Sequence, residues 1–231
     1  MILCIGHSHL FAVQRAATLE GESIVAYNFW QIPGAVTQHG DDIRFLDDIE
    51  HQLRSHPGPI FSLIGGSAHN VLGMLVHPRR FDVVLPARPD LPLDALAECL
   101  PYGAVRGMVE AEVTPFLSYM RRLRALSAGT ICQLEPPPPS AEVSAAARDL
   151  LWGLTPHFMK EVSPAAMRWK LWRMQADIVQ QFCVDNGFDY LACPGAAVDD
   201  GGYLRAAFDH DGAHANDEYG RLVLEQMRRY A

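Results

Sequence analysis

Short apolar runs alternate with longer amphipathic stretches along almost the whole chain, and this alternation limits the fold more than any other feature. Runs at residues 1–5, 23–29, 60–64, 130–134 and 190–193 have strand length and are largely apolar. Between them, spacings of three and four predict helices. Residues 9–19 place Leu10, Val13 and Ala17 on one face, and residues 41–54 do the same with Ile43, Leu46, Ile49 and Leu53. Residues 110–126 carry the stripe Val113, Phe116, Leu117, Met120 and Leu123. Residues 163–186 carry Met167, Leu171, Met174, Ile178 and Phe182, with Ser163 as the expected N-cap, Pro164 at the first helical position and Gly187 as the stop. Residues 216–230 close the chain as a helix, with Asp217 and Glu218 at its start and Arg228 and Arg229 at its end, as the helix dipole favours. Residues 81–85 read either as a short strand or as a connection. The four prolines at 136–139 take the chain out of the sheet. Strand and helix in turn predict an α/β fold with a central parallel sheet and helices on both faces.

At 231 residues, 49% hydrophobic and 20% charged, the chain fits one domain spanning 1–231 with a full core. Its net charge of −8 argues against nucleic acid and anionic membrane surfaces as partners. The five cysteines contain no Cys-x-x-Cys pair, so neither a disulfide framework nor a zinc ribbon is expected. The first apolar run follows Met1 with no basic stretch ahead of it, and no run reaches the roughly 18 residues that would span a bilayer. The expectation is a soluble, cytoplasmic protein; oligomeric state is left open.

Parallel sheets bind ligands at the carboxyl ends of their strands. That rule singles out Gly6-His7-Ser8-His9, Gly34, Gly65 to Asn70, and the loop before the last helix. Ser8 follows a strand and opens a helix, where backbone N–H groups can face an oxyanion. A serine in this position is more often a plain helix cap, and as a nucleophile it needs a base. Asp211-Gly212-Ala213-His214 offers one: a carboxylate three residues before a histidine, in a tight glycine loop, can orient the ring and stabilise its cation. A surface loop with a chance histidine is the competing reading, since the chain has ten.

Gly6-His7-Ser8-His9-Leu10 resembles the first block of the SGNH/GDSL hydrolase superfamily. Phe208-Asp209-His210-Asp211-Gly212-Ala213-His214-Ala215-Asn216, followed by Tyr219-Gly220, resembles its last block, and Gln133-Leu134-Glu135-Pro136-Pro137 resembles a strand-then-proline block between them. The resemblance implies a three-layer α/β/α fold of flavodoxin-like type, an esterase or other acyl hydrolase, and a metal-free Ser8-His214-Asp211 triad without cofactor. It implies an oxyanion hole from Ser8, Gly34 (in Gln31-Ile32-Pro33-Gly34, equally a plain Pro-Gly turn) and a donor after the third strand. Two positions depart from the pattern. His7 stands where aspartate usually precedes the serine. Ser67 aligns with the usual asparagine, and Asn70 lies three residues on; of the two, Asn70 is favoured slightly as the better-oriented donor. Losing such a donor typically costs about 10²–10³ in turnover.

The substrate implied is a small acyl ester, with an acetylated saccharide among the candidates, and His7, His9, His69 and His210 as pocket residues. Two alternatives remain open. One is a binding protein for acylated saccharides that keeps the fold but not the chemistry. The other is a metal-dependent hydrolase using those histidines with Asp209 and Asp211. On the long helix, Trp169 and Trp172 are expected in the core, with Arg168, Lys170 and Arg173 on a solvated basic face. The proline-rich segment 79–102 is either a cover for the pocket mouth or a connection.

Overall fold

The computed structural model describes residues 1–40, 42–155 and 157–231. Its centre is a five-stranded sheet of β1 (Ile2–Gly6), β2 (Ile24–Asn28), β3 (Ile60–Leu63), β4 (Ile131–Leu134) and β5 (Asp189–Leu191). The strands lie in the order β2-β1-β3-β4-β5, and every pairing is parallel. In register, Leu3 lies beside Val25 on one side and Ile60 on the other, and Ile60 lies beside Ile131. β1 and β4 are buried along their whole length, which is why they read as unbroken apolar runs.

Side chains alternate across a strand, so each run feeds two cores. Cys4, Phe61 and Cys132 pack under α1 (Leu10–Glu20) and α7 (Asp217–Tyr230), against Leu10, Val13, Val223 and Leu224. Leu3, Ile5, Ile60 and Ile131 face the other way, onto α2 (Asp47–Ser55), α4 (Tyr102–Leu126) and α6 (Ala165–Asn186). The result is the three-layer α/β/α architecture expected. Gly220 lets α7 lie against α1: a Cβ there would stand 2.1 Å from the Ala12 carbonyl oxygen. Two shorter helices, α3 (Ala68–Gly73) and α5 (Ala145–Leu154), stand beside the cavity described below.

Several elements differ from the sequence reading. The helix expected over 41–54 is half strand: Asp42–Phe45 pairs antiparallel with Val36–His39, and α2 starts only at Asp47. The reason is that Ile43 and Phe45 alternate inward at period two, while Leu46 is exposed; Asp41, where that helix was to begin, lies outside the described residues. α4 starts at Tyr102 rather than 110, its buried stripe continuing back through Val109 and Val105. The N-cap of α6 is Pro164, not Ser163. α3 and α5 were not foreseen, although Ser144 caps α5 by accepting the Ala147 N–H at 3.1 Å. Phe81–Val83 is a strand, paired in parallel with Glu98–Leu100 in a separate two-stranded sheet. Segment 79–102 contributes nothing to the wall of the cavity beside Ser8, so it is a connection and not a cover.

The basic face of α6 is not solvated. Trp169 and Trp172 are buried as expected, but so are Arg168 and Lys170. Arg168 donates to the carbonyls of Ser140 at 2.5 Å and Ala141 at 2.8 Å. Lys170 Nζ meets Asp82 at 2.8 Å and the Pro92 carbonyl at 2.9 Å.

Candidate active site

The strand order places the site. The sheet runs outward in opposite directions from β1 and β3, and the crevice at such a switch point is where open α/β sheets bind ligands. The turn after β1 carries Ser8, the loop after β3 carries Ser67, and the first turn of α3 carries Asn70. Residues 7–9 link β1 to α1, and the Ser8 carbonyl accepts the Phe11 N–H at 3.0 Å. The N-cap position falls to His9, whose side chain makes no capping bond, so the capping role is not Ser8's. The first amides of α1 have no intrahelical acceptor, as in any helix.

The loop before α7 is tied at both ends by Asn216. Its Oδ1 accepts from Glu218 N at 3.1 Å and Tyr219 N at 3.2 Å, capping the helix. Its Nδ2 donates to the carbonyls of Ala207 at 2.8 Å and Asp209 at 3.2 Å. Within the loop, Gly212 turns at φ 81°, a conformation that favours glycine, and its N–H bonds Asp209 Oδ1 at 3.0 Å. This turn brings Asp211 onto His214. Asp211 Oδ2 lies 3.0 Å from His214 Nδ1, and Oδ1 accepts the backbone N–H groups of Ala213 at 2.9 Å and His214 at 2.7 Å. Burial pushes the Asp211 carboxyl up, but the bonds from the His214 ring and from these two amides outweigh it and hold it well below the usual carboxylate range. An ionised Asp211 keeps the proton on Nδ1, which leaves Nε2 as the nitrogen able to accept one.

Ser8, Ser67, Asn70, Asp211 and His214 all line one cavity of about 600 Å³. His9 and His210 line it too, and the His9 ring lies 5.6 Å from that of His214. Burial, with a smaller push from His214, holds His9 down to about 3, so it stays neutral beside the dyad.

No protein-family model matches the sequence, and no curated protein does. Solved structures do. The chain is similar in course to GDSL-type hydrolases. One is a GDSL-like lipase from Bacteroides thetaiotaomicron, at 10% identity and a TM-score of 0.49, covering 100% of this chain and 88% of that one. Another is a carbohydrate acetylesterase from Sinorhizobium meliloti, at 10% identity and a TM-score of 0.43, covering 99% and 97%. At this level of similarity the architecture is assigned from the chain's own sheet order, and the chemistry has to come from the site.

The remaining expected residues go elsewhere. Gly34 makes its turn at φ 69° and lines a different hollow, together with His7 and Tyr119. His7 is turned away from the Ser8 cavity, packed edge-on between Phe29 and Phe116, with ring centroids at 5.2 and 5.1 Å. Burial holds it down to about 4. His69 is buried and also leaves the cavity: its Nδ1 and backbone N lie 2.8 and 2.9 Å from Gln175 Oε1. Among the described residues no group of three or more metal-ligating side chains is placed to hold an ion, so the histidines and aspartates of the metal-dependent alternative do not assemble.

Sequence reasoning missed Gln175. It is buried on α6, and its Nε2 donates to the carbonyls of Gly65 at 3.0 Å and Gly66 at 3.1 Å. With the His69 bonds, one amide therefore ties the β3–α3 loop that carries Ser67 to the first turn of α3, which carries Asn70. The available signal was a glutamine beside the apolar stripe of a long helix.

Burial holds His69 down to about 4 against an ordinary 6.5, the Gln175 bond recovering only part. Between those values the unfolded chain binds the proton and the folded chain does not, so stability falls as pH falls from 6.5 towards 4. Urea midpoints measured from pH 7 to 4.5 should drop across that window, and His69→Gln should flatten the drop. An unchanged slope in the variant would exclude His69 as a source of acid sensitivity.

Proposed function

We propose that the protein is a serine hydrolase of acyl esters. The reading is carried by the Asp211–His214 pair, hydrogen-bonded through Nδ1 and sharing one cavity with Ser8. In this reading Ser8 Oγ attacks the ester carbonyl carbon while His214 Nε2 takes the hydroxyl proton. Asp211 stabilises the resulting imidazolium. The tetrahedral oxyanion is held by the Ser8 backbone N–H and by Asn70 or Ser67. Collapse breaks the ester C–O bond, and His214 returns the proton to the departing alcohol. Water then attacks the acyl-serine with His214 again as base, releasing the acid and restoring Ser8. Both Asn70 and Ser67 border the cavity, and Asn70 remains the favoured donor because its amide N–H is the better-directed of the two.

In this reading the substrate is a small acyl ester. No described helix is long and apolar enough to cross a membrane.

The test is covalent. A fluorophosphonate should label the native protein at Ser8, and Ser8→Ala should neither label nor hydrolyse a short acyl nitrophenyl ester while melting at the parental temperature. A folded protein that never labels would favour the binding role instead, and full activity in Ser8→Ala would overturn the triad.

A further inference from the structure

The walls of the Ser8 cavity say more about the ester than its catalytic end does. We infer that the cavity is an acyl-chain site, selective for esters of medium-length apolar acids over acetyl esters; this rests on the serine-hydrolase reading above. Beyond the catalytic cluster the lining is apolar. Phe11 and Ala12 come from α1, Met74 and Leu75 from the chain just after α3, and Leu151 and Phe158 from α5 and the turn beyond it. Few polar groups stand on these walls, and two of them are engaged. Thr155 donates its hydroxyl to the Leu151 carbonyl at 2.9 Å, and the Arg15 guanidinium is ion-paired with Asp217. A saccharide needs several free donors and acceptors around its hydroxyl groups, and the wall formed by Met74, Leu75, Leu151 and Phe158 has no polar side chain beside it but Thr155. An apolar chain needs only shape and dryness.

The size agrees. At roughly 30 Å³ for a unit the size of a water or methylene, a cavity of about 600 Å³ takes an acyl chain of about eight carbons together with the ester and part of its alcohol. An acetyl group would leave most of the apolar wall uncovered. The mouth also suits an apolar ligand, since Trp30 and Val71 line it while remaining 71% and 44% exposed.

α5 makes Leu151 a specificity residue. Its side chain lines the cavity from α5, away from the strands of the sheet. A larger residue there shortens the site and a smaller one lengthens it.

The experiment compares nitrophenyl acetate, butyrate and octanoate, each below its micelle concentration, with fluorophosphonate labelling run in parallel. Each buried methylene is worth roughly a fourfold gain, so kcat/KM for octanoate should exceed that for acetate by at least about 100-fold even when only part of the gain is realised. Leu151→Trp should cut the octanoate-to-acetate ratio at least about tenfold by blocking burial of two or more methylenes. Leu151→Ala should move the optimum to longer chains. A labelled enzyme that turns over acetate as well as octanoate overturns the acyl-chain site and leaves the hydrolase reading standing. A ratio that ignores both Leu151 variants, with labelling intact, does the same. A protein that neither labels nor hydrolyses any of the three overturns the hydrolase reading itself.

Discussion

Asp211→Asn should lower kcat for ester hydrolysis by about 10³–10⁴-fold, with KM little changed and the far-UV spectrum retained. The side-chain oxygen that faces the loop can still accept the backbone N–H groups of Ala213 and His214, now at 2.9 and 2.7 Å. The other side-chain atom, 3.0 Å from His214 Nδ1, becomes an amide nitrogen that donates. A donor at the nearer position facing Nδ1 favours the ring proton on Nε2, the remaining oxygen lying farther from Nδ1 at 3.2 Å, and a protonated Nε2 cannot take the Ser8 proton. The variant therefore keeps the loop and loses the tautomer. Asp211→Ala loses both, so it should add a fall in melting temperature to the same loss of rate. A variant Asp211→Asn that keeps more than a tenth of parental kcat would take Asp211 out of the mechanism.

The same pair predicts a stability signature. The folded carboxyl titrates well below its ordinary 3.8, so its contribution is full above that value and is lost progressively as pH falls from there towards the lower folded value. The stability gap between parent and Asp211→Asn should accordingly be widest near neutral pH and narrow below about pH 4. Urea unfolding at pH 7 and at pH 2.5 measures it.

The parts of this molecule that were legible in its sequence are those that depend on near neighbours. Asp211 and His214 bond each other three residues apart across Gly212, and Asn216 caps the helix that follows, so spacing alone could propose their loop. β1, β3 and β4 are buried on both faces and announce themselves as apolar runs. What the sequence could not show depends on partners far along the chain. Whether His7 and Gly34 face Ser8 is decided by Phe29, Phe116 and Tyr119, which come from two other elements and close a separate aromatic hollow around His7. Whether Gln175 is a surface amide or the anchor of the β3–α3 loop is decided 106 positions away, at His69. The strand at Asp42–Phe45 was misread because Ile43, Leu46 and Ile49 satisfy a helical spacing while Ile43 and Phe45 satisfy a strand spacing, and only the Val36–His39 partner selects between them.

Lys170 is the sharpest of these cases, and it carries the largest stability prediction. A lysine among Arg168, Trp169, Trp172 and Arg173 looks like part of a solvated face, but its ammonium has no exposed surface at all. It is held by Asp82 at 2.8 Å and the Pro92 carbonyl at 2.9 Å. Asp82 in turn accepts the N–H groups of Val83 at 2.7 Å and Asp94 at 2.8 Å, so the pair pins the small Phe81–Val83 sheet and its connection onto α6. Desolvating two charges is expensive, and the net worth of such a pair over an apolar replacement is small. Removing one partner is another matter, because the other charge is left buried. Lys170→Met should therefore cost about 3–5 kcal/mol, read as a fall in urea midpoint at unchanged slope. Adding Asp82→Leu to Lys170→Met should recover part of that loss, a coupling that independent sites would not show. Neither residue lines the Ser8 cavity, so kcat per folded molecule should match the parent in both variants. Losses that simply add would show that the two charges do not depend on each other, and a loss below about 1 kcal/mol for Lys170→Met would mean that Asp82 finds solvent or a proton as soon as its partner is gone.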